Sequence, residues 1–205
     1  YVAVKGGGAV VGGDWIDDVD GLIMVWFGGM QEGTAFAEIL FGEVNPSAKV
    51  VQSFPFNESD LPPYDPATTG DLPYDYYHGY RWLDKEGFTP RYPFGFGLSY
   101  TTYTYSNLTV AQPTIASDGT LTVMVDVENT GPVTGSEVVQ LYVGFDNTSV
   151  SDVGGRPVKE LKAFARLDDV QPSEKRTATF TVDAADLAYW NTGTDAWEVE
   201  SMTYQ

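Results

Sequence analysis

The sequence predicts a mixed fold, in which the C-terminal part of an α/β sandwich layer is followed by an immunoglobulin-like β-sandwich. Two patterns support this prediction. Apolar runs and a helical spacing alternate over the first 54 residues, whereas apolar and polar residues alternate with a period of two after residue 100. Between them, residues 55–100 carry seven of the twelve prolines and many aromatic side chains, which is typical of a packed connection.

The first 54 residues are predicted to be the tail of an α/β layer. Residues 2–4 and the apolar run at 22–26 are typical of parallel strands that are covered on both faces. A helical turn capped by Asp14 is expected between them. The spacing then becomes helical over residues 32–41, and residues 50–54 can form a last strand.

Residues 101–205 are predicted to form an antiparallel sandwich. Segments of alternating polarity recur at sandwich spacing, at residues 120–127, 137–143, 158–164 and 176–182. Turn residues separate them at 129–132 and 171–173. The pattern therefore indicates a sandwich of the immunoglobulin or fibronectin type III kind.

The composition excludes several classes of function. The 29 acidic and 11 basic side chains give a formal net charge of −18, which repels nucleic acids and anionic membrane surfaces. Because the chain has no cysteine, disulfides, thiolate metal sites and cysteine nucleophiles are excluded. No apolar run approaches the roughly 18 residues of a membrane span.

The sequence does not support three kinds of functional site, because the residues that each one needs are missing at the required positions. Placing Gly21 at the sixth position of a calcium loop puts Ile16 and Phe27 at positions that need oxygen ligands. The N-terminal glycines do not form a G-x-G-x-x-G pattern, so a dinucleotide site is not supported. The segment around Ser99 lacks the final glycine and the buried strand of a nucleophile elbow. We therefore expect neither a metal ion nor a cofactor.

Two single residues are candidates for chemistry. Glu32 follows a strand and opens a helix, so it is expected at the carboxyl edge of the sheet, where open α/β folds bind ligands. The alternative is a carboxylate that only complements the helix N-terminus. The single histidine, His78, is either a packed loop residue or a hydrogen-bond donor in a substrate cleft.

Several motifs resemble one family of enzymes. Residues 26–35 (WFGGMQEGTA) and 39–47 (ILFGEVNPS) resemble the late α/β-sandwich segment of family 3 glycoside hydrolases. Residues 77–81 (YHGYR) and 92–100 (YPFGFGLSY) resemble the link into the fibronectin type III-like domain of that family. The likeness covers essentially the whole chain, and Gln31-Glu32-Gly33 favours the β-glucosidase branch.

The resemblance implies a domain division and a mechanism. Residues 1–54 would end the α/β domain, residues 55–100 would connect, and residues 101–205 would form the fibronectin type III-like domain without its last strand. Enzymes of this family retain the anomeric configuration, using an aspartate nucleophile from an N-terminal barrel domain and a glutamate acid/base. No position here matches either motif, so we expect both carboxylates outside this chain, and no activity from it alone.

The resemblance also implies a substrate and its contacts. The substrate would be a β-glucoside or oligosaccharide, as in polysaccharide degradation. We expect residues 74–91 near the sugar, over the domain interface, with Tyr77, His78, Tyr80 and Arg81 as binding candidates. Packing alone is the alternative, because aromatic residues are large apolar fillers.

The sequence also carries weaker signals of location. Asparagine sequons at Asn57, Asn107 and Asn147 are candidate glycosylation sites and favour a secreted or periplasmic protein. A different class of function, a non-catalytic carbohydrate-binding or adhesion module, stays open, with the aromatic loop as its sugar platform. A native protein much larger than this chain would favour the enzyme. The oligomeric state is not fixed by the sequence.

Overall fold

The computed structural model describes residues 1–63, 67, 70, 76–151 and 154–205. The chain divides into two compact units, Tyr1–Leu98 and Ser99–Gln205. Within these described residues, the first unit contains a parallel strand pair and two helices, and the second is an antiparallel β-sandwich. The predicted fold class is therefore confirmed.

The sheet of the first unit consists of two short parallel strands. β1 (Val2–Val4) pairs with β2 (Leu22–Met24), with Val2 opposite Leu22. One further bond, from the N–H of Val25 to the carbonyl of Val4 (2.8 Å), ends the pairing. The next residue, Trp26, has a φ of 57°, a left-handed conformation that is strained for a bulky side chain. The chain therefore turns sharply at the carboxyl edge of the sheet.

Helix α1 (Glu32–Leu40) follows this turn, as the helical spacing predicts. A 3₁₀ turn (Gly29–Gln31) leads into it. At its other end the N–H of Phe41 donates to the carbonyl of Ala37 (2.9 Å), and Gly42 has a φ of 79°. The helix stops there because glycine adopts this left-handed conformation without strain.

The predicted cap at Asp14 is wrong. A 3₁₀ helix (Gly13–Asp18) does lie between the strands, but its N-cap is Gly12, which has no side chain that could cap it. The turn begins earlier because Gly13 has a φ of 48°, which places the following residue inside the helix. Gly12 also lies against the buried Ile16, and an added Cβ at position 12 would clash with the Ile16 side chain.

Residues 50–54 do not form the predicted last strand of the sheet. They run beside residues 91–96 instead, with a bond from the Val50 N–H to the Phe96 carbonyl (2.8 Å) and an isolated bridge between Phe54 and Tyr92. A continuous ladder cannot form between these bonds because Pro93 has no N–H group. The segment of residues 91–96 also turns at Gly95, which has a φ of 82°.

The connecting segment contains a helix that the sequence pattern missed. Helix α2 (Tyr80–Glu86) lies between two glycines with positive φ, Gly79 (58°) and Gly87 (72°), and Leu83 is its buried residue. A 3₁₀ turn (Glu58–Asp60) precedes it. The indole N–H of Trp82 donates to the carbonyl of Asp60 (2.9 Å), which joins this turn to the helix.

The second unit packs two antiparallel sheets against each other. One sheet has the order β3-β4-β7 and the other pairs β5 with β6. The strands are β3 (Tyr103–Val110), β4 (Thr120–Asn129), β5 (Gly135–Gly144), β6 (Lys159–Val170) and β7 (Lys175–Asp183). Burial alternates along β4 and β7 with the period of two that the sequence predicts.

The core of the sandwich is apolar, with one fully buried amide. Valines of β4 meet Val139 of β5 and Phe180 of β7 in the main cluster. Asn129, at the end of β4, has no exposed surface. Its Nδ2 donates to the carbonyls of Val133 and Val170 (2.8 Å each), and its Oδ1 accepts from the Thr101 hydroxyl (2.6 Å) and the Gly131 N–H (3.1 Å). All of its hydrogen-bonding capacity is used within the protein.

A short hairpin and the C-terminal residues complete the second unit. The hairpin pairs β8 (Tyr189–Asn191) with β9 (Ala196–Glu198) and follows a 3₁₀ turn (Ala184–Leu187). Gln205 exchanges two backbone hydrogen bonds with Gly144 of β5, of 2.7 and 3.2 Å. This pairing extends the sheet that contains β5 and β6.

Candidate functional site

Glu32 lies at the carboxyl edge of the parallel strands. Its Oε1 is 3.0 Å from the Nζ of Lys5, the residue that follows β1. Its Oε2 accepts a hydrogen bond from the N–H of Gly28 (3.0 Å). Only glycine fits at position 28, because an added Cβ would lie 2.6 Å from the Glu32 side chain. The carboxylate therefore ties the ends of both strands to the start of α1.

These contacts determine the protonation of Glu32. The Lys5 hydrogen bond and then the Gly28 N–H hold the pKa of the Glu32 carboxyl below its usual value, although some desolvation opposes them. A general acid in a glycosidase needs the opposite, a carboxyl whose pKa is raised so that it carries a proton at neutral pH. The geometry is that of an ion-paired carboxylate that braces a turn.

The aromatic candidates surround helix α2. The guanidinium of Arg81 stacks over the rings of Tyr76 (4.9 Å to the centroid) and Tyr80 (5.6 Å). The Tyr80 ring also packs against Phe94, with 5.4 Å between centroids. Such stacking holds the Arg81 guanidinium and the Tyr80 ring in place. Both residues are half-buried, so part of each side chain is exposed to solvent.

Tyr77 and His78 differ sharply in exposure. Tyr77 is only 3% exposed, with the Lys85 Nζ 3.9 Å from its ring centroid and the Tyr76 ring against its edge. His78, the next residue, is exposed. Burial therefore favours a packing role for Tyr77, whereas His78 can reach a ligand. Tyr74, at the start of the predicted loop, lies outside the described residues.

The three sequon asparagines are exposed, but their surroundings differ. Asn107 has a φ of 54° in the irregular part of β3, and its Nδ2, the atom that would carry a glycan, donates to Asp126 (2.9 Å). In the sequon of Asn147 the Ser149 hydroxyl donates to Glu200 (2.7 Å). The backbone N–H of Asn57 donates to Asp60 (2.9 Å).

Residues 1–63, 67, 70, 76–151 and 154–205 contain no group of three or more metal-binding side chains, and none of their helices is long and apolar enough to cross a bilayer. Asp17, at the second position of the calcium loop that the sequence excludes, forms an ion pair with Arg91 (2.6 Å).

A buried charged cluster in the sandwich was missed by the sequence reasoning. Arg156 lies over the Phe145 ring (3.8 Å to the centroid) and donates to the Leu187 carbonyl (2.7 Å). Its Nη1 is 3.9 Å from the Glu200 carboxylate. Glu200 also accepts bonds from the Thr148 and Ser149 hydroxyls and the Ser149 N–H. The partners are up to 52 residues apart, and no local pattern signals such pairing.

Family models match both units of the chain. Residues 1–100 match the glycosyl hydrolase family 3 C-terminal domain, and residues 137–205 match the fibronectin type III-like domain. The chain belongs to glycosyl hydrolase family 3. It corresponds to the C-terminal part of these proteins, as the sequence motifs imply.

Similar proteins cover nearly the whole chain. Thermostable β-glucosidase B of Acetivibrio thermocellus is 40% identical over 204 residues, which are 98% of this chain and 26% of that protein. A periplasmic β-glucosidase of Salmonella typhimurium is 38% identical over 84% of this chain and 22% of its own length. The crystal structure of a family 3 β-glucosidase from Bifidobacterium adolescentis superposes with a TM-score of 0.88 at 33% identity, over 98% of this chain and 29% of that one. The chain thus spans about a quarter of the length of the curated relatives it matches.

Proposed function

We propose that this chain is part of a retaining, exo-acting β-glucosidase that removes terminal β-linked glucose from oligosaccharides or glycosides. The observation that carries the proposal is the match of 98% of the chain, through both units, to one region of a β-glucosidase. The substrate is then a β-glucoside, and a barrel domain of the same enzyme supplies the nucleophile.

The catalytic carboxylates are proposed to lie outside this chain. Retention needs two carboxyl groups about 5–5.5 Å apart, one of them a nucleophile and the other an acid that later acts as a base. Glu32 was the single candidate within the chain, and its pairing with Lys5 keeps it ionised at neutral pH. Glu32 therefore supports the fold near the sheet edge and does not transfer the proton.

The proposal is tested with an aryl β-glucoside. We expect the intact protein to release β-glucose as the first product, detected by NMR before mutarotation, and the 205-residue chain alone to show no turnover. The proposal fails if the intact protein releases the α-anomer first or does not hydrolyse β-glucosides. Turnover by the chain alone that is abolished in Glu32→Gln but retained in Asp18→Asn would instead make Glu32 the acid/base.

We further propose that the exposed side of the α2 segment contacts the sugar through His78, with Tyr80 and Arg81 beside it. In the intact enzyme His78→Ala should raise KM or lower kcat by about tenfold with the melting temperature nearly unchanged. Tyr77→Phe serves as the matched comparison, because its buried ring is kept. A His78→Ala variant that loses stability but has unchanged kinetics would restrict this segment to packing.

Location and processing belong to the same proposal. The Salmonella typhimurium relative is described as periplasmic. Together with the sequons at Asn57, Asn107 and Asn147, this supports a secreted or periplasmic enzyme that takes part in polysaccharide degradation. Activity that remains entirely in the cytoplasmic fraction of the native host would contradict this assignment.

A further inference from the structure

The hairpin formed by β8 and β9 carries two tryptophans that neither core cluster of the sandwich uses. Trp190 and Trp197 are directly opposite each other across the two strands. The two residues are 43% and 69% exposed, and both lie outside the apolar clusters of the second unit. Their ring centroids are 5.6 Å apart and the planes meet at 78°, so the edge of one ring meets the face of the other. One broad indole face is thus left open to solvent.

The opposite face of the hairpin is held by polar contacts. The Glu198 carboxylate accepts hydrogen bonds from Asn191 Nδ2 (2.8 Å), the Thr194 hydroxyl and the Tyr189 hydroxyl (3.4 Å). The hydrogen bonds from Thr194 and Asn191 lower the pKa of Glu198, and they outweigh the opposing effect of burial. The Asn191 side chain also accepts the Gly193 N–H (2.8 Å) and closes the turn.

The same face joins the hairpin to the buried charged cluster. The Arg156 guanidinium lies 5.7 Å from the Tyr189 ring centroid, while it also stacks on Phe145 of the core. Two three-residue strands would be marginal by themselves. Fixed in this way on one face, the hairpin presents its tryptophan pair in a single arrangement. Rigid aromatic groups bind with a smaller loss of conformational entropy than flexible ones.

The chemistry of the surface restricts what can bind there. Indole faces pack against the C–H groups of flat apolar surfaces, and the indole N–H is a hydrogen-bond donor. Within the described residues neither indole N–H has a protein acceptor. The net charge of −18 on this chain disfavours an anionic polymer. An uncharged ligand with apolar ring faces and surrounding hydroxyls fits both the rings and the charge.

We propose that the Trp190–Trp197 pair binds an uncharged β-glucan chain outside the catalytic site. The choice of a β-linked glucan rests on the proposed function, whereas the site itself rests on the hairpin. One indole stacks on a pyranose ring, and the other, at a steep angle to it, borders the same binding surface. Such a site would keep the enzyme on a polymer whose chain ends it hydrolyses.

Native affinity electrophoresis of the intact protein tests this proposal. The gels contain hydroxyethylcellulose, an uncharged soluble β-glucan, together with glucose to occupy the catalytic site. We expect the glucan to retard the wild type, and Trp197→Ala or Trp190→Ala to weaken binding about tenfold, as expected for the loss of one stacked ring. Phe164→Ala is the matched control, because Phe164 on β6 is also 69% exposed, and it should migrate as the wild type does.

Further measurements separate the alternatives. Hydrolysis of a small aryl β-glucoside should be unchanged in Trp197→Ala, and absence of this hydrolysis in the wild type would reject the proposed function without touching the glucan result. If Trp197→Ala does not fold, Trp197→Tyr, which keeps a ring, should restore retardation. Equal migration of the wild type and both tryptophan variants overturns the proposal. So does a change in the oligomeric state of Trp197→Ala without a change in retardation, which would make the pair a protein interface.

Discussion

Replacement of Asn129 tests which interactions hold the sandwich together. Asn129→Ala removes four hydrogen bonds from a site with no exposed surface. Two of the partners are themselves buried, the Thr101 hydroxyl (5% exposed residue) and the Val170 carbonyl (0%). Because a buried polar group without a partner costs about 1–3 kcal/mol, we expect a loss of about 2–5 kcal/mol.

Two comparisons calibrate that number. Thr101→Val removes one of the four bonds and should cost only about 1 kcal/mol. Asn107→Ala removes an exposed amide with one bond to Asp126 and places alanine at a φ of 54°, which asparagine adopts more readily, so it should cost about 1 kcal/mol, still less than Asn129→Ala. Asn129→Asp is isosteric but turns both Nδ2 donors into acceptors that face the Val133 and Val170 carbonyls. It should be at least as harmful as alanine.

Hydrogen exchange of the β4 amides is the appropriate assay, because it measures opening of the sandwich separately from the first unit. The protection of Val125 and Val127, both in the buried core, should fall most in Asn129→Ala. Equal protection in Asn129→Ala and Asn107→Ala would refute the reasoning. It would mean that water or a shift of the chain replaces the lost bonds.

The remaining predictions concern pH and autonomy. Burial disfavours the charged form of Glu200, but hydrogen bonds from Ser149 and Thr148 outweigh it and lower the pKa of this carboxyl. The stability that Glu200 contributes is therefore present above about pH 4.5, the usual pKa, and is lost as the pH falls through the pKa of the folded state. Between pH 3 and 7 the melting temperature of the wild type should fall more steeply with acid than that of Glu200→Gln, and parallel curves would contradict this. Residues 1–54 alone should bind a hydrophobic dye and unfold without cooperativity, because a stable parallel sheet needs more than two strands and needs both faces covered. A cooperative unfolding transition without dye binding would contradict this prediction.

The sequence predicts those parts of the fold that depend on local periodicity. Strands β4 to β7 and helix α1 were found where the spacing placed them, since burial of one face follows directly from the period. Residues 50–54 have the composition of a strand, but Pro93 in the neighbouring segment prevents a ladder. Helix α2 was missed because its seven residues show little apolar periodicity, although glycines bound it on both sides.

The candidate site was harder to predict because its contacts are distant in sequence. The position of Glu32 at the sheet edge follows from the order of strand and helix, but its partner Lys5 lies 27 residues earlier, after the other strand. Neighbouring residues of one motif can also differ in exposure, as Tyr77 and His78 do. The Arg156–Glu200 cluster needs the sandwich to be assembled before its members meet.

The electrostatics provide a separate argument about where the proton of the proposed reaction comes from. A retaining glycosidase needs one carboxyl with a raised pKa. Among the described residues, each carboxyl group with a shifted pKa has it lowered: Glu32, Asp126, Glu174, Glu198 and Glu200. Each accepts hydrogen bonds from neighbouring donors that favour the ionised form. The shifted acids of this chain therefore stabilise its turns and strand ends, and their contacts agree with the proposal that the general acid lies outside this chain.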